Sequence, residues 1–302
     1  MHMQNETVVH IPQISLNEIY KGARNLFLST FKDFQMSNLA FANTSHRVTY
    51  YQLLLLEKGK GFLRIDSKNY ELRSKSLVTI SKGQVVRFEP ENTCEGYILI
   101  FTDEFIHRNS DDLDWISTLN IFDNSKVDLP LDLMEEEFSE LTDIYKKMKK
   151  EFSSESNFVG EEILRNHLLT FLLVVERYYR KKLNKKEIPS QGSNDLIVFK
   201  RKLEENYKES HSVNRYAELL NITPKKLNEI IIKSFGKSTK KVIEERVLLE
   251  SKRFLIYTNF SIKEIGNELG FTDPTNFNKF FKKYEHITPL NFRNSHKADL
   301  YC

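Results

Sequence analysis

"SIKEIGNELGFTDPTNFNKFFKKY", residues 261–284, holds two short amphipathic runs that meet at Gly270 and Phe271. The second run gathers Phe277, Phe280, Phe281 and Tyr284 on one face and sends Asn, Thr and Lys to the other, which is helical periodicity. Ser261 with Glu264 three residues on reads as a capping box, and Asp273-Pro274 sets an N-cap oxygen before a proline at the first helical position. The same arrangement occurs earlier in the chain. Val213, Tyr216, Ala217 and Leu220 match Ile262, Ile265, Gly266 and Leu269 at an offset of 49. Beyond the turn, Leu227, Ile230 and Ile231 match Phe277, Phe280 and Phe281 at an offset of 50, so the second turn is one residue longer. Thr223-Pro224 starts the earlier second helix as Asp273-Pro274 starts the later one.

Ala217 and Gly266 are small where each first helix crosses its partner, the steric demand of a helix-turn-helix. Two such units in register, with the same small position and the same proline, are far more specific than one. Between them "STKKVIEERVLLESKRFLIYT" reads as a long helix apolar on more than one side, able to touch both units. About eighteen residues span roughly 27 Å, which with the widths of the units suits two reading helices about 34 Å apart, one turn of DNA. With the apolar residues inward, Lys225, Lys226, Asn228 and Glu229 face out of the first unit and Thr275, Asn276, Asn278 and Lys279 out of the second. Asn pairs with adenine, Lys reaches guanine, Thr meets a thymine methyl and Glu accepts from cytosine. Lys282 and Lys283 stand where phosphates would pass.

Charge divides the chain in the same sense. Residues 1–175 carry 19 Lys and Arg against 26 Asp and Glu, a net of −7, whereas residues 195–302 carry 20 against 14, a net of +6. A basic C-terminal half points to a polyanion. From Asn38 to about Thr102 the text breaks into short alternating strands ("YYQLLLL", "FLRID", "YELRS", "SLVTI", "VVRFE", "GYILIF") separated by Gly, Asn and Ser, the pattern of an antiparallel sandwich or barrel. Helical spacing takes over from Leu133 to about Phe152 and again from Phe158 to Lys182. The "LLTFLLVV" within the second helix must be buried, either in its own domain or against a second copy. The expected organisation is a sensory and dimerisation domain over 1–183, β-rich to about 105 and helical from about 133, a linker over 184–194, and an all-α DNA-binding domain over 195–302.

Residues 246–293, with "R…ESKRFL", "SIKEIGNELGFTD", "FNKFFKK" and "TPLNFR", resemble the C-terminal signature of the AraC/XylS transcription regulators, and residues 195–296 as a whole are similar to that family's DNA-binding domain. The resemblance implies seven helices, two helix-turn-helix units, contact with RNA polymerase and, most often, activation. It puts the base-reading positions on Lys225, Asn228, Glu229, Thr275, Asn278 and Lys279. Three departures stand out: Asn221 replaces the usual glycine of the first turn, Glu229 stands where a basic residue is common, and His286 replaces a glycine before Thr288-Pro289. The N-terminal half resembles, more loosely, the family's cupin-like sensory domains, which bind a small molecule or dimerise through a helix in the position of residues 168–175, from Leu168 to Val175.

No nucleophile-base pair, metal set or phosphate loop is present as a motif, so neither an enzyme nor a cofactor is expected. His46 and His107 are isolated and read as surface or packing residues rather than metal ligands. Trp115 and the aromatic strands read as core, and the carboxylates of residues 111–114 as a solvated loop. Cys94 and Cys302 are too few and too far apart for a disulfide framework. No apolar run approaches membrane-span length, and the N-terminus lacks a secretory pattern, so the expected location is the cytoplasm. The competing function is a protein-binding adaptor, distinguished by salt dependence: DNA binding weakens steeply with salt.

Overall fold

The computed structural model describes residues 10–20, 25–34, 44–90, 94–106, 116, 119–122, 129–154, 157–182 and 194–296. His107, the acidic run at 111–114, Trp115, Cys302 and all of the expected linker except Asn194 lie outside them. The chain divides into two compact units, Gln13–Ile188 in one and Met1–Pro12 with Pro189–Cys302 in the other.

The four leucines of "YYQLLLL" explain the first unit. They lie in β4 (Tyr51–Lys58), the central strand of a sheet ordered β10 (Leu131–Asp132), β7 (Ser76–Ile80), β4, β9 (Glu95–Phe101), β2 (Leu26–Thr30). The second sheet runs β1 (Gln13–Ile14), β3 (His46–Val48), β8 (Val85–Pro90), β5 (Gly61–Ile65), β6 (Lys68–Leu72). Each neighbouring pair is antiparallel except β1 with β3. Side chains alternate across a strand. Leu54 and Leu56 therefore join Ile98, Ile100, Val78 and Ile80 in a core shared with Leu63, Ile65, Val86 and Phe88 of the facing sheet. Leu53 and Leu55 point the other way, with Leu99 and Phe101, into a second core covered by helices. A strand buried on both faces has no polar alternation to show. The two sheets form an open sandwich, not a closed barrel.

Short helices α1 (Leu16–Ile19) and α2 (Asp103–Ile106) flank the strands. Two long ones, α3 (Glu135–Phe152) and α4 (Phe158–Lys182), close the outer face of the β4 sheet. Tyr145 of α3 donates its hydroxyl to the Ser29 carbonyl at 2.8 Å, and the buried Glu176 of α4 accepts from the Ile121 amide at 3.1 Å and from Asn120 at 2.7 Å. Leu168, Phe171, Leu172, Val174 and Val175 are buried within this unit, so most of the apolar stretch at 168–175 is used there. Leu173 remains outward at 51% exposure, on a line with Val159 and Ile163. Among the described residues no helix is long and apolar enough to cross a membrane.

The second unit is helical: α5 (Asn194–Asn206), α6 (Val213–Leu219), α7 (Pro224–Phe235), α8 (Thr239–Tyr257), α9 (Ile262–Glu268), α10 (Pro274–Glu285) and α11 (Pro289–Ser295). The helix α8 packs against α7 on one side of the repeat and against α9, α10 and α11 on the other. The fold is thus α+β and multidomain, an antiparallel sandwich with covering helices followed by an all-α double helix-turn-helix.

Candidate nucleic-acid interface

Both reading helices start where their caps place them. Thr223 Oγ1 accepts from the Lys226 amide at 3.2 Å before α7, and Asp273 Oδ1 accepts from the Thr275 amide at 2.7 Å before α10. That backbone hydrogen bond, aided by the Thr275 side chain and the nearby Lys279, holds the Asp273 carboxyl below the usual aspartate range. Ahead of α9, the Glu264 amide donates to Ser261 Oγ at 3.2 Å and the Ser261 amide to Glu264 Oε2 at 2.6 Å. The two turns close alike, the Ile222 amide on the Ala217 carbonyl at 3.0 Å and the Phe271 amide on the Gly266 carbonyl at 2.9 Å. They need a left-handed residue, which is Asn221 at φ 53° in one and Gly270 at φ 78° in the other. Asparagine tolerates that region better than other side chains. A Cβ on Gly266 would lie 3.3 Å from Phe277 Cβ, which explains the small residue at that crossing.

Leu227 and Ile231 in α7, and Phe277 and Phe281 in α10, are fully buried. Lys225, Lys226 and Glu229 of the first unit are exposed, as are Thr275, Asn276, Asn278, Lys279, Lys282 and Lys283 of the second. Two residues that the sequence marks for DNA nevertheless have work inside the unit. Asn228 is half-buried, and its Oδ1 accepts from the Thr239 amide at 3.0 Å and the Thr239 hydroxyl at 3.3 Å, so the oxygen that a bidentate adenine contact requires is taken up at the start of α8. Lys283 lies 3.2 Å from Glu244, which also accepts from the Tyr284 hydroxyl, while Lys241 sits over the Tyr284 ring at 4.0 Å. This cluster fixes α10 to α8. Asn278, at the position in α10 equivalent to Asn228, has no amide to hold: the residue matching Thr239 is Pro289. Its Nδ2 donates to the Pro274 carbonyl at 3.0 Å on the exposed surface.

One outward residue was not marked by the sequence reading. Ile232 is 48% exposed on the same side of α7 as Lys225 and Glu229. Its counterpart at the repeat offset is Lys282, and that pairing was the available signal.

Within the helical domain two sets of contacts act as braces, one tying α5 to α8 and the other tying the two helix-turn-helix motifs directly. In α8, the Arg246 guanidinium contacts Glu204 at 2.8 Å and Glu250 at 3.2 Å, and Arg253 meets Glu250 at 3.0 Å. Burial works against the Arg246 charge, but the two carboxylates outweigh it and raise its pKa. A second brace is direct. The lead-in to the first unit touches the turn of the second, where the His211 ring lies 4.8 Å from Phe271 and a Cβ on Gly270 would come within 2.3 Å of the Lys208 carbonyl.

In the sandwich, a cavity of about 30 Å³ lies between the sheets, with His46, Tyr50 and Gln52 among Phe34, Leu63 and Phe88. This is room for a water or two, well below the roughly 300–1,000 Å³ of a preformed small-molecule site. Burial pushes the His46 pKa down and the Tyr50 pKa up, so both stay neutral. Among the described residues no cluster of three or more potential metal ligands occurs.

Residues 216–295 match a family described as a helix-turn-helix domain, and residues 34–169 one described as an AraC-like ligand binding domain. The lactose operon transcription activator of Staphylococcus xylosus is 20% identical over 258 residues, covering 83% of this chain and 88% of that protein. The Msm operon regulatory protein of Streptococcus mutans is 37% identical over 87 residues, which is 29% of this chain and 31% of that one. Among solved structures, ToxT from Vibrio cholerae is 15% identical, with 89% of this chain and 97% of that chain covered at a TM-score of 0.40.

Proposed function

This chain belongs to the AraC-type family of DNA-binding transcription regulators, and from that premise we propose that it reads operator DNA with two tandem helix-turn-helix units and activates transcription by contacting RNA polymerase in the cytoplasm. One observation carries the reading: two helices, each begun by a side-chain cap followed by proline, bury an apolar pair and turn a lysine-bearing face to solvent. Lys225, Lys226 and Glu229 face the first groove segment, and Thr275, Asn276, Asn278 and Lys279 the second, with Lys282 toward phosphates. Asn228 and Lys283 are assigned chiefly to holding α7 and α10 on α8. The proposed limits are a sensory domain over 1–183, a linker over 184–194 and the DNA-binding domain over 195–302. The chain acts as a regulator and not as a catalyst.

Two further parts of the reading rest on the sandwich and its covering helices. A small effector enters between the sheets beside His46, Tyr50 and Gln52, widening the narrow cavity as it does so. A homodimer forms through the outer side of α4 along Val159, Ile163 and Leu173, supported by the exposure of those three apolar side chains. Gel-shift titration against sites selected from randomised duplexes tests the DNA reading: affinity should fall with salt at a slope near −0.9 per phosphate neutralised. A salt-independent complex, or no preference for any sequence, would contradict it. Sedimentation at high micromolar concentration tests the dimer, and a strictly monomeric species would rule it out.

A further inference from the structure

With Asn228 held by Thr239, the outward stripe of α7 consists of Lys225, Glu229 and Ile232. Leu227 and Ile231 define the buried side, and at 3.6 residues per turn Glu229 lies opposite them, with Lys225 and Ile232 flanking it one turn away on either side along the axis. Ile232 is thus an apolar side chain, 48% exposed, on the outward face of this helix. Its surroundings on α7 are mainly cationic, with Lys225, Lys226 and Lys233 exposed around the single carboxylate of Glu229, while Lys237 just beyond pairs with Glu245 at 2.9 Å. Such a rim complements a polyanion and is a poor neighbour for an apolar protein surface. A β-branched side chain on a helix keeps essentially one χ1 rotamer, so its methyl groups point in a fixed direction. The apolar feature that a major groove offers is the 5-methyl of thymine.

We infer that Ile232 is a specificity-determining residue of the first unit, packing against the methyl group of one thymine within about three base-pair steps of the pair met by Lys225. The spacing follows from seven residues of helix, roughly 10 Å, laid along a duplex with about 3.4 Å per step. The assignment rests on the DNA-reading function proposed above. It gives the first unit a chemistry the second lacks, since Lys282 stands at the matching place.

The test uses the full chain and the duplex it selects from a randomised pool. Each thymine in the half bound by the first unit is replaced in turn by deoxyuracil, which keeps the base pair and removes the methyl. For the wild type, one replacement should weaken binding about fourfold, the worth of one apolar carbon removed from water. Ile232→Ala, an exposed substitution, should bind the thymine duplex about as weakly as the wild type binds that deoxyuracil duplex, and should not notice the same replacement. Equal responses of wild type and Ile232→Ala at every thymine would overturn the inference. If a site is selected and Lys279→Ala loses affinity for it, that failure touches Ile232 alone. If no site is selected, the DNA-reading function falls and the Ile232 assignment falls with it.

Discussion

The two helix-turn-helix units share the capped proline start of the reading helix, their turn closure and their buried pair, yet the asparagine at the same place in each reading helix does different work. Asn228 is tied to Thr239 because α8 begins there with a free amide. At the matching place the second unit has Pro289, which has no amide to offer, and Asn278 stays exposed with its Nδ2 on the Pro274 carbonyl. The inner face of a repeat is constrained by the crossing of two helices, and both copies satisfy it with the same kinds of residue. The outer face is constrained only by what it meets, and there the copies diverge: Glu229 against Lys279, Ile232 against Lys282. A duplicated fold therefore does not imply a duplicated readout.

The turns allow the hardest test of this comparison. Gly270→Asn installs in the second unit the residue that the first tolerates, but its Cβ would press on the Lys208 carbonyl. Denaturant unfolding should show a loss of about 1–3 kcal/mol, whereas Asn221→Gly should change stability by less than about 1 kcal/mol. Equal effects would mean that the direct brace between units is unimportant.

Binding separates the reading faces next. Lys279→Ala and Asn278→Ala should each cost about 1–3 kcal/mol on the cognate site and relax preference locally, with folding unchanged. Asn228→Ala should do the reverse: stability falls by roughly 1 kcal/mol, as for a lost helix-start hydrogen bond, while the ranking of operator sequences stays the same. A changed sequence preference in Asn228→Ala, read from a selection experiment, would return Asn228 to the readers.

The smallest expected effect concerns pH at the brace. Burial holds the His211 pKa below its ordinary 6.5, partly offset by the backbone of Leu269 and Tyr207 and by Glu244. A histidine kept neutral by the fold contributes stability that is present above the unfolded pKa, near 6.5, and declines as pH falls below it, because the unfolded chain takes up the proton first. Thermal unfolding of the full chain between pH 7.5 and 5 should show this decline, and His211→Gln should flatten it. An unaltered slope would show that other groups set the acid sensitivity.

Much of this was legible in the sequence because caps, prolines and apolar periodicity are local signals. The capped prolines and the small Gly266 could be read from neighbours within a few turns, and the repeat at offsets of 49 and 50 from laying the two stretches side by side. The committed oxygen of Asn228 could not, since its partner lies eleven residues away across a tertiary contact. Only the Thr239 and Pro289 mismatch at the repeat offset hinted at it. The leucines of β4 hid their role for another reason: burial on both sides erases alternation. The helix α4 posed the same ambiguity, and its burial against α3 and the β4 sheet became visible only once Leu168, Phe171 and Leu172 had partners.

Two rigidly connected helices that enter successive major-groove segments on one side of the duplex require a fixed spacing between the operator halves. Base pairs inserted between the two halves of the selected operator probe that spacing, with the affinity of the full chain as the readout. Insertion of about five pairs, half a helical turn, turns the second half to the far side, and binding should fall to the level of a single half-site. Undiminished affinity for the five-pair insertion would contradict that arrangement.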